Sequence, residues 1–270
     1  MAATDTTPAY TDPARTEKTG SARAAIVWAV VVVLVAAYAM EFGLQTLLWT
    51  ESHEWASVNS SLSEVPQPLP ASAALPPGNS KGTLLKSYDY EFRVPWTGKM
   101  TQTPPMATTA FHFDSGQIVT VFDPDAQLDV LRGIRTSKSQ EYLNFAEVLA
   151  GQNVDSNCAL FRTVYSASPA QVSPFMRQSD AERIAILLQW KLSFGVDAAP
   201  GIYSFDFGAN HGLQFGSPAS GHPAALRIFD DQGKQLRLIF AAAPGSSAQI
   251  TQDDIDLAAQ SLKAVPLLEQ

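Results

Sequence analysis

The strongest pattern along the chain is an uninterrupted apolar segment near its beginning. Residues 24–40 contain no charged residue and no Gly, Pro, Ser or Thr, and apolar character resumes after Glu41. A helix of these 17 residues rises about 25 Å, close to the ~30 Å of hydrocarbon in a bilayer. We therefore expect a transmembrane helix over residues 23–50, with the lipid bilayer as its partner.

The distribution of cations predicts how this helix is oriented. Arg15, Lys18 and Arg23 precede the apolar segment, and the next Lys or Arg is Lys81. Positive residues stay on the cytoplasmic side of a membrane. We expect residues 1–22 to form a disordered cytoplasmic tail, and the rest of the chain to lie outside the inner membrane, in the periplasm or beyond.

A cleaved signal peptide is the alternative to a retained anchor. The sequence "AYA" at residues 37–39 fits the small residues of a cleavage site. The apolar segment is long for a signal peptide, and apolar residues continue beyond the site, so we favour the anchor. Both interpretations place the remainder of the chain outside the cytoplasm.

A Pro-rich stretch follows the apolar segment. Five prolines lie from Pro66 to Pro77, with no helical or strand periodicity between them. Proline fixes φ and removes a hydrogen-bond donor, so this composition predicts an extended spacer. We assign residues 51–82 to a membrane-proximal segment and linker that holds the domain away from the bilayer. The motif "PQPLP" is alternatively compatible with a ligand for another protein.

Residues 83–270 show the alternation of a folded domain. In "SYDYEFRVP" the apolar residues Tyr88, Tyr90, Phe92 and Val94 alternate with charged ones, which predicts a half-buried strand. A β-hairpin is predicted around Gly116, with Phe111 and Phe113 before the turn and Ile118, Thr120 and Phe122 after it.

Helical patterns occupy the centre of this domain, and strands return after it. Four helices are expected between residues 123 and 195, and the last of them opens with a capping box of Ser179 and Glu182. Further strands follow, joined by "ANH" and "DDQG", before a final helix that starts at Thr251. This order predicts an α+β fold with a roughly seven-stranded antiparallel sheet packed with about five helices.

Two short motifs carry a family resemblance. The strand "YDYEFRVPW" at residues 88–96, with the terminal hairpin and helix, resembles the PsbP-like α+β layout. The same strand and "ILLQWKLSF" at residues 186–194 are similar to stretches in uncharacterised single-pass bacterial membrane proteins. These are packing motifs, so the resemblance implies no catalytic residue. It implies an accessory binding role, because PsbP-like proteins act in that way.

Composition excludes several classes of function. The net charge is −8 and no basic stripe is present, which argues against nucleic acid as a partner. A single cysteine, Cys158, cannot form an internal disulfide, and its apolar helical surroundings predict a buried structural thiol. The sequence contains no phosphate-binding or dinucleotide-binding glycine loop.

Candidate catalytic groups are few. His112 with Asp114 forms a potential acid/base pair, and Ser217 and Ser220 precede His222 in one loop. These residue types suit proton transfer or hydrolysis if the fold brings them together.

A metal site would require His112, His211 and His222 to converge. A turn or surface location explains each of these histidines more simply. Trp96 is the aromatic residue best placed to line a groove. Six aromatic residues, Trp96 among them, are expected in the core: Tyr88, Tyr90, Phe92, Trp96, Phe111 and Phe113.

Taken together, the patterns favour a membrane-anchored extracytoplasmic binding or accessory module of the bacterial envelope. We expect no catalytic, cofactor or metal residues, and an envelope protein is a candidate partner. The alternative is a membrane-tethered envelope hydrolase that uses His112 or His222.

Overall fold

The computed structural model describes residues 14–69, 82–104, 106–124, 130–150, 152, 154–195, 200–218, 221–230 and 234–265. The helices within this part of the chain are α1 (Ala14–Val58), α2 (Val130–Thr136), α3 (Gln140–Leu149), α4 (Asn157–Tyr165), α5 (Gln178–Phe194) and α6 (Gln252–Ser261), with the 3-10 turns η1 (Ser60–Ser63) and η2 (Pro169–Gln171). The strands are β1 (Gln67–Pro68), β2 (Thr83–Ser87), β3 (Tyr90–Val94), β4 (Met100–Gln102), β5 (Thr108–Phe113), β6 (Gln117–Phe122), β7 (Ile202–Phe207), β8 (Asn210–Phe215), β9 (Ala224–Phe229), β10 (Gln235–Ala242) and β11 (Lys263–Ala264). The α+β prediction is confirmed.

Helix α1 consists of two arms that meet at a bend of 61°. We call Ile26–Ala39 the apolar arm and Phe42–Val58 the packed arm. Within the described residues, no helix alone has the length and apolarity to cross a bilayer, and the two arms meet those criteria only as a bent pair.

The two arms differ in their surroundings. Every residue of the apolar arm is exposed, including Trp28 at 69% and Val33 at 65%. In the packed arm, Gln45 and Ser52 are buried, and Leu48 and Trp55 pack against the core that contains helix α5. The packed arm is therefore part of the folded domain, while the apolar arm extends away from it.

The main sheet has eight strands in the order β1-β7-β8-β9-β10-β6-β5-β4. The pair β1–β7 is parallel, and the remaining neighbours are antiparallel. A second sheet of three strands has the order β11-β3-β2. The prediction of one roughly seven-stranded antiparallel sheet is therefore corrected to a mixed eight-stranded sheet with a smaller sheet beside it.

Strand β9 shows how the main sheet separates two cores. Ala225 and Phe229 belong to the core formed with helices α3, α4 and α5. Ala224, Leu226 and Ile228 belong to the other core, with the three-stranded sheet and helix α6. Successive side chains on a strand point to opposite faces, so the main sheet is the middle layer of three.

The first predicted strand forms part of a hairpin. Strand β2 ends at Ser87, and Tyr88 and Asp89 form the turn that leads into β3. Tyr88 has a φ of 53°, the left-handed conformation that is uncommon outside glycine. The predicted alternation of buried and partly exposed residues in "SYDYEFRVP" is confirmed from Tyr90 onward, but Tyr88 belongs to the turn.

The predicted hairpin at Gly116 is confirmed, with one difference in register. Gly116 has a φ of 92° in the turn between β5 and β6. Phe111 lies opposite Val119, so the buried apolar residues of β6 are Val119 and Val121. Ile118, Thr120 and Phe122, which the sequence suggested, lie on the partly exposed face.

Helix boundaries differ at α5 and agree at α6. Helix α5 begins one residue before Ser179, and Arg177 is at its N-cap, so the predicted capping box with Glu182 is wrong. Helix α6 is capped by Thr251, with Asp254 completing the box. The first of the four helices expected between residues 123 and 195 would start at Asp123. Residues 125–129, which follow, lie outside the described residues.

Candidate functional site

The histidines lie on different elements. His53 is exposed on the packed arm, and His112 is exposed in strand β5. His211, which the sequence placed in a turn, lies half-buried in strand β8. His222 is exposed in the loop before strand β9.

The sheet order keeps these histidines apart. Three strands separate β5 from β8, and strand spacing of about 4.8 Å puts His112 and His211 roughly 19 Å apart. His211 lies opposite Phe229, at the end of β9 remote from His222. The three histidines therefore do not converge as a shared metal site would require. No group of three or more His, Cys, Asp or Glu suited to a metal occurs within the described residues.

One cavity brings together two of the candidate catalytic residues. It has a volume of about 630 Å³ and lies where strand β9 begins, strand β10 ends and helix α6 starts. Ser217 and His222 both line it, with Gln252 and Thr251 from the start of α6. Ser220, the third candidate, lies outside the described residues.

An amide network occupies the inner side of this cavity. The side chains of Gln214 and Gln252 donate to each other, at 2.9 and 2.8 Å. The Gln252 amide nitrogen also donates to Asp256 Oδ1 at 2.8 Å. Both N–H groups of Gln252 are therefore engaged inside the protein, which holds the side chain in one orientation.

The carboxylate of Asp256 lies behind this network. Its side chain is 2% exposed, and Oδ2 has no hydrogen-bond partner within the described part of the chain. Asp256 is not among the described lining residues, and none of those residues is an Asp or Glu. A Ser-His-acid triad needs a carboxylate to orient the histidine. The described lining therefore offers amide, hydroxyl and imidazole groups for recognition, without that third member.

The aromatic cluster that includes Trp96 is core. Trp96 is 9% exposed and packs edge-to-face on Phe113 and Phe240, with ring centroids 5.4 and 6.3 Å apart. Its indole N–H donates to Asp254 Oδ2 at 3.3 Å, which joins the end of β3 to the start of α6. Trp96 does not line the cavity next to His222.

The most unusual polar group is a lysine that sequence reasoning missed. Lys191 of helix α5 is 0% exposed. Its ammonium donates to the backbone carbonyls of Leu62 at 3.0 Å, Glu64 at 2.5 Å, Tyr165 at 3.1 Å and Ala167 at 2.8 Å. A buried charge is tolerated when hydrogen-bonded in this way. The signal in the sequence was a lysine inside the apolar run "ILLQWKLSF".

Burial changes the ionisation of this lysine. Desolvation lowers the pKa of Lys191 from its usual 10.5 to about 8, and the negative charge of Glu64 partly offsets that change. At neutral pH the amine therefore remains mainly protonated and can supply three N–H donors, one of which is shared between two of the four carbonyls. Glu64 has a second partner, since Gly201 N donates to its Oε2 at 2.6 Å.

Lys191 fixes the chain that leaves helix α1. Leu62 in turn η1 is fully buried, and β1 pairs with β7 through Gln67 and Pro68. Residues 60–69 therefore pack against the domain, although the sequence suggested a linker over 51–82. The prolines at 70–77 connect β1 to β2, two strands of the folded region, and lie outside the described residues.

Cys158 is buried in helix α4. Burial raises the pKa of its thiol; the nearby positive charge of Arg162 acts in the opposite direction, and Asp206 adds to the rise. A thiol with a raised pKa is a poor nucleophile at neutral pH. The structure therefore provides no support for a catalytic role of Cys158.

Comparison with protein-family models, with curated proteins and with solved structures finds no match for this chain. The PsbP-like resemblance stays a prediction based on residues 88–96 together with the terminal hairpin and helix.

Proposed function

We propose that this chain is a single-pass, membrane-anchored binding or accessory module of the bacterial envelope, with its folded domain outside the cytoplasm. The apolar arm of α1 carries the proposal. Its large apolar side chains from Ile26 to Val35 are between 40% and 69% exposed. A helix that is apolar on every side needs an apolar environment, and a bilayer supplies it.

The energetic argument is the cost of leaving this arm in water. Soluble proteins rarely expose contiguous apolar patches beyond a few hundred Å². Burial of each Val, Leu or Ile side chain contributes about 1.5–3 kcal/mol. Eight of the ten residues from Ile26 to Val35 are Val, Leu or Ile, so insertion of the arm into lipid is strongly favourable.

The cations before the arm support the orientation. Arg15, Lys18 and Arg23 all precede it, while the 40 residues after it, 41–80, contain no Lys or Arg. Under the positive-inside rule the tail is cytoplasmic and the domain is extracytoplasmic.

The cavity next to His222 supports recognition rather than catalysis. Its described lining combines apolar residues with amides and hydroxyls and contains no carboxylate. Such a lining suits a ligand or peptide held by apolar contact and a few hydrogen bonds. The PsbP-like resemblance of residues 88–96 points in the same direction.

Protease accessibility tests the topology. The full chain is tagged at both ends and expressed in bacteria, and protease is added to intact spheroplasts. We expect digestion of the C-terminal tag with survival of the N-terminal tag, and retention of the protein in carbonate-washed membranes. A matched variant with Arg15, Lys18 and Arg23 changed to Glu should lose this fixed orientation.

Two results would contradict the proposal. If the domain resists protease in intact spheroplasts but is degraded after lysis, it lies in the cytoplasm. If the tags separate and the C-terminal product begins at Met40, cleavage after Ala39 has removed the anchor.

A hydrolase is the second candidate, because Ser217 and His222 line the same cavity. A fluorophosphonate probe that reacts with activated serines should label the purified chain if this candidate is correct. Labelling that is lost in both Ser217→Ala and His222→Ala would support a serine hydrolase. Absence of labelling in the folded wild-type chain would exclude that mechanism. His112, the other histidine of this candidate, lies exposed on β5, outside the described lining of the cavity.

A further inference from the structure

We infer that the folded domain docks directly onto the bilayer surface through Leu44, Leu47 and Phe175, which we call the basal patch. The inference rests on the proposed anchor and adds a second, peripheral membrane contact to it. The occupant of the patch is the interfacial layer of the same bilayer that holds the apolar arm.

The first observation is exposure next to the bend of α1. Leu44 and Leu47, in the first turns of the packed arm, are 41% and 62% exposed. Phe175, in the loop before helix α5, is 73% exposed. Its ring lies 6.4 Å from the ring of Phe42, the first residue of the packed arm. Three large apolar side chains therefore surround the point where the apolar arm leaves the domain.

The second observation is the length of the apolar segment. Residues 24–40, between Arg23 and Glu41, number 17. They span about 25 Å as a helix, while the hydrocarbon layer is about 30 Å thick. The apolar segment alone therefore falls short of the layer, and this mismatch draws the neighbouring apolar side chains toward the lipid.

The third observation is the angle between the arms. With the apolar arm along the membrane normal, a bend of 61° lets the packed arm rise only about 0.7 Å per residue. Leu47 then lies about 4 Å above Phe42, inside the headgroup layer, which is about 5–7 Å thick. Phe175 lies at the level of Phe42 because their rings are in contact.

The packed arm is held firmly enough to fix this geometry. Gln45 and Ser52 are 4% and 1% exposed against the domain. The chain after the arm is anchored where Lys191 binds the carbonyls of Leu62 and Glu64. Because the packed arm is fixed to the domain, the angle of the bend sets the position of the whole domain relative to the bilayer.

The polar residues around the patch agree with an interface. Farther along the packed arm, exposed positions become charged at Glu51 and Glu54, as expected for a helix leaving the headgroup layer. Arg177, exposed two residues after Phe175, can reach lipid phosphates while Phe175 contacts the acyl boundary.

Site-specific fluorescence in lipid vesicles tests the docking. Single cysteines replace Val33, Leu47, Phe175 or Met106 in the full chain, and each carries an environment-sensitive NBD label. The wild-type chain, whose own thiol at Cys158 is buried, gives the background. Met106 is the matched control, because it is 79% exposed and Phe175 is 73% exposed. Vesicles contain lipids spin-labelled either near the headgroup or near the chain end.

We expect shallow spin labels to quench the probe at Phe175 and Leu47 several-fold more strongly than the probe at Met106. The probe at Val33 should be quenched best by the deep label. If Val33 is quenched but Phe175 and Leu47 match Met106, the docking inference is overturned while the anchor stands. If Val33 also escapes quenching, the anchor fails. A self-crosslink between Phe175→Cys chains without lipid quenching would assign the patch to a second copy and overturn the bilayer as occupant.

Discussion

The ammonium of Lys191 donates a hydrogen bond of 3.0 Å to the backbone carbonyl of Leu62, which lies 129 residues earlier in the chain. Through this contact helix α5 holds the segment that follows helix α1. The same nitrogen binds the carbonyl of Ala167 at 2.8 Å, so one side chain joins three separate segments of the domain.

Removing the charged group of Lys191 should destabilise the domain. In Lys191→Met the carbonyls of Leu62, Glu64, Tyr165 and Ala167 lose their shared donor. A buried polar group left without a partner costs about 1–3 kcal/mol. Because the uncharged side chain also avoids desolvation, we expect a net loss of about 2–4 kcal/mol in the free energy of unfolding. Urea unfolding of the full chain in detergent, followed by tryptophan fluorescence, measures it.

Lys86→Met is the matched control for this variant. Lys86 is 66% exposed and pairs with Glu91 at 3.3 Å. An exposed ion pair contributes less than about 1 kcal/mol. Equal effects of the two substitutions would contradict a special role for the buried ammonium of Lys191.

The lowered pKa of Lys191 predicts how stability depends on pH. Between the native pKa of about 8 and the usual 10.5, the unfolded chain binds more protons than the native chain. The free energy of unfolding therefore rises with pH across this window. The difference between wild type and Lys191→Met should shift in favour of wild type by up to about 3 kcal/mol from pH 7 to pH 10.5. A constant difference would show that the four carbonyls keep the pKa near its usual value.

The buried thiol of Cys158 should be unreactive in the native protein. Burial raises its pKa, which lowers the thiolate fraction at neutral pH, and the helix α4 core excludes reagents. We expect alkylation by iodoacetamide at pH 8 to be negligible in the native chain and complete in urea, as measured by intact mass. Rapid alkylation without denaturant would refute the structural assignment of this thiol.

Asn210 should stabilise the end of helix α6. Its buried side-chain nitrogen donates to the carbonyls of Ala259 at 3.0 Å and Leu262 at 2.9 Å. Asn210→Ala leaves both helix-terminal carbonyls without this donor, so we expect a loss of about 2 kcal/mol and faster hydrogen exchange in α6. Asn144→Ala removes an exposed amide whose oxygen accepts from Gln140 one turn earlier in the same helix, and should cost less than about 1 kcal/mol. Equal losses would show that Asn210 has no special role.

Local patterns predicted several elements well. The hairpin at Gly116, the hairpin between β9 and β10, and the helix that starts at Thr251 all appear as expected. These features depend on residues close in sequence, where turn conformation and capping hydrogen bonds act directly. The errors among local features lie where two neighbouring alternatives are similar in energy. The buried face of β6 was predicted one residue away from where it occurs, and the N-cap of α5 two residues away.

Other features depended on residues far apart in sequence. The pairing of β1 with β7 joins Gln67 to Tyr203, and no local signal in the Pro-rich stretch indicates it. The cavity beside His222 requires strands β9 and β10 to meet the start of α6. The separation of His112 from His211 follows from strand order, which alternation alone does not specify.

By itself, the sequence determined the apolar segment at residues 24–40, the cations before it, the α+β composition and the local turns and caps. Composition and periodicity fix these features because each depends on a residue and its near neighbours. The tertiary structure decided that the packed arm belongs to the domain and that Lys191 is buried under four carbonyls. Those outcomes depend on which distant surfaces exclude water together, because burial determines both the energy of an apolar contact and the ionisation of a buried amine.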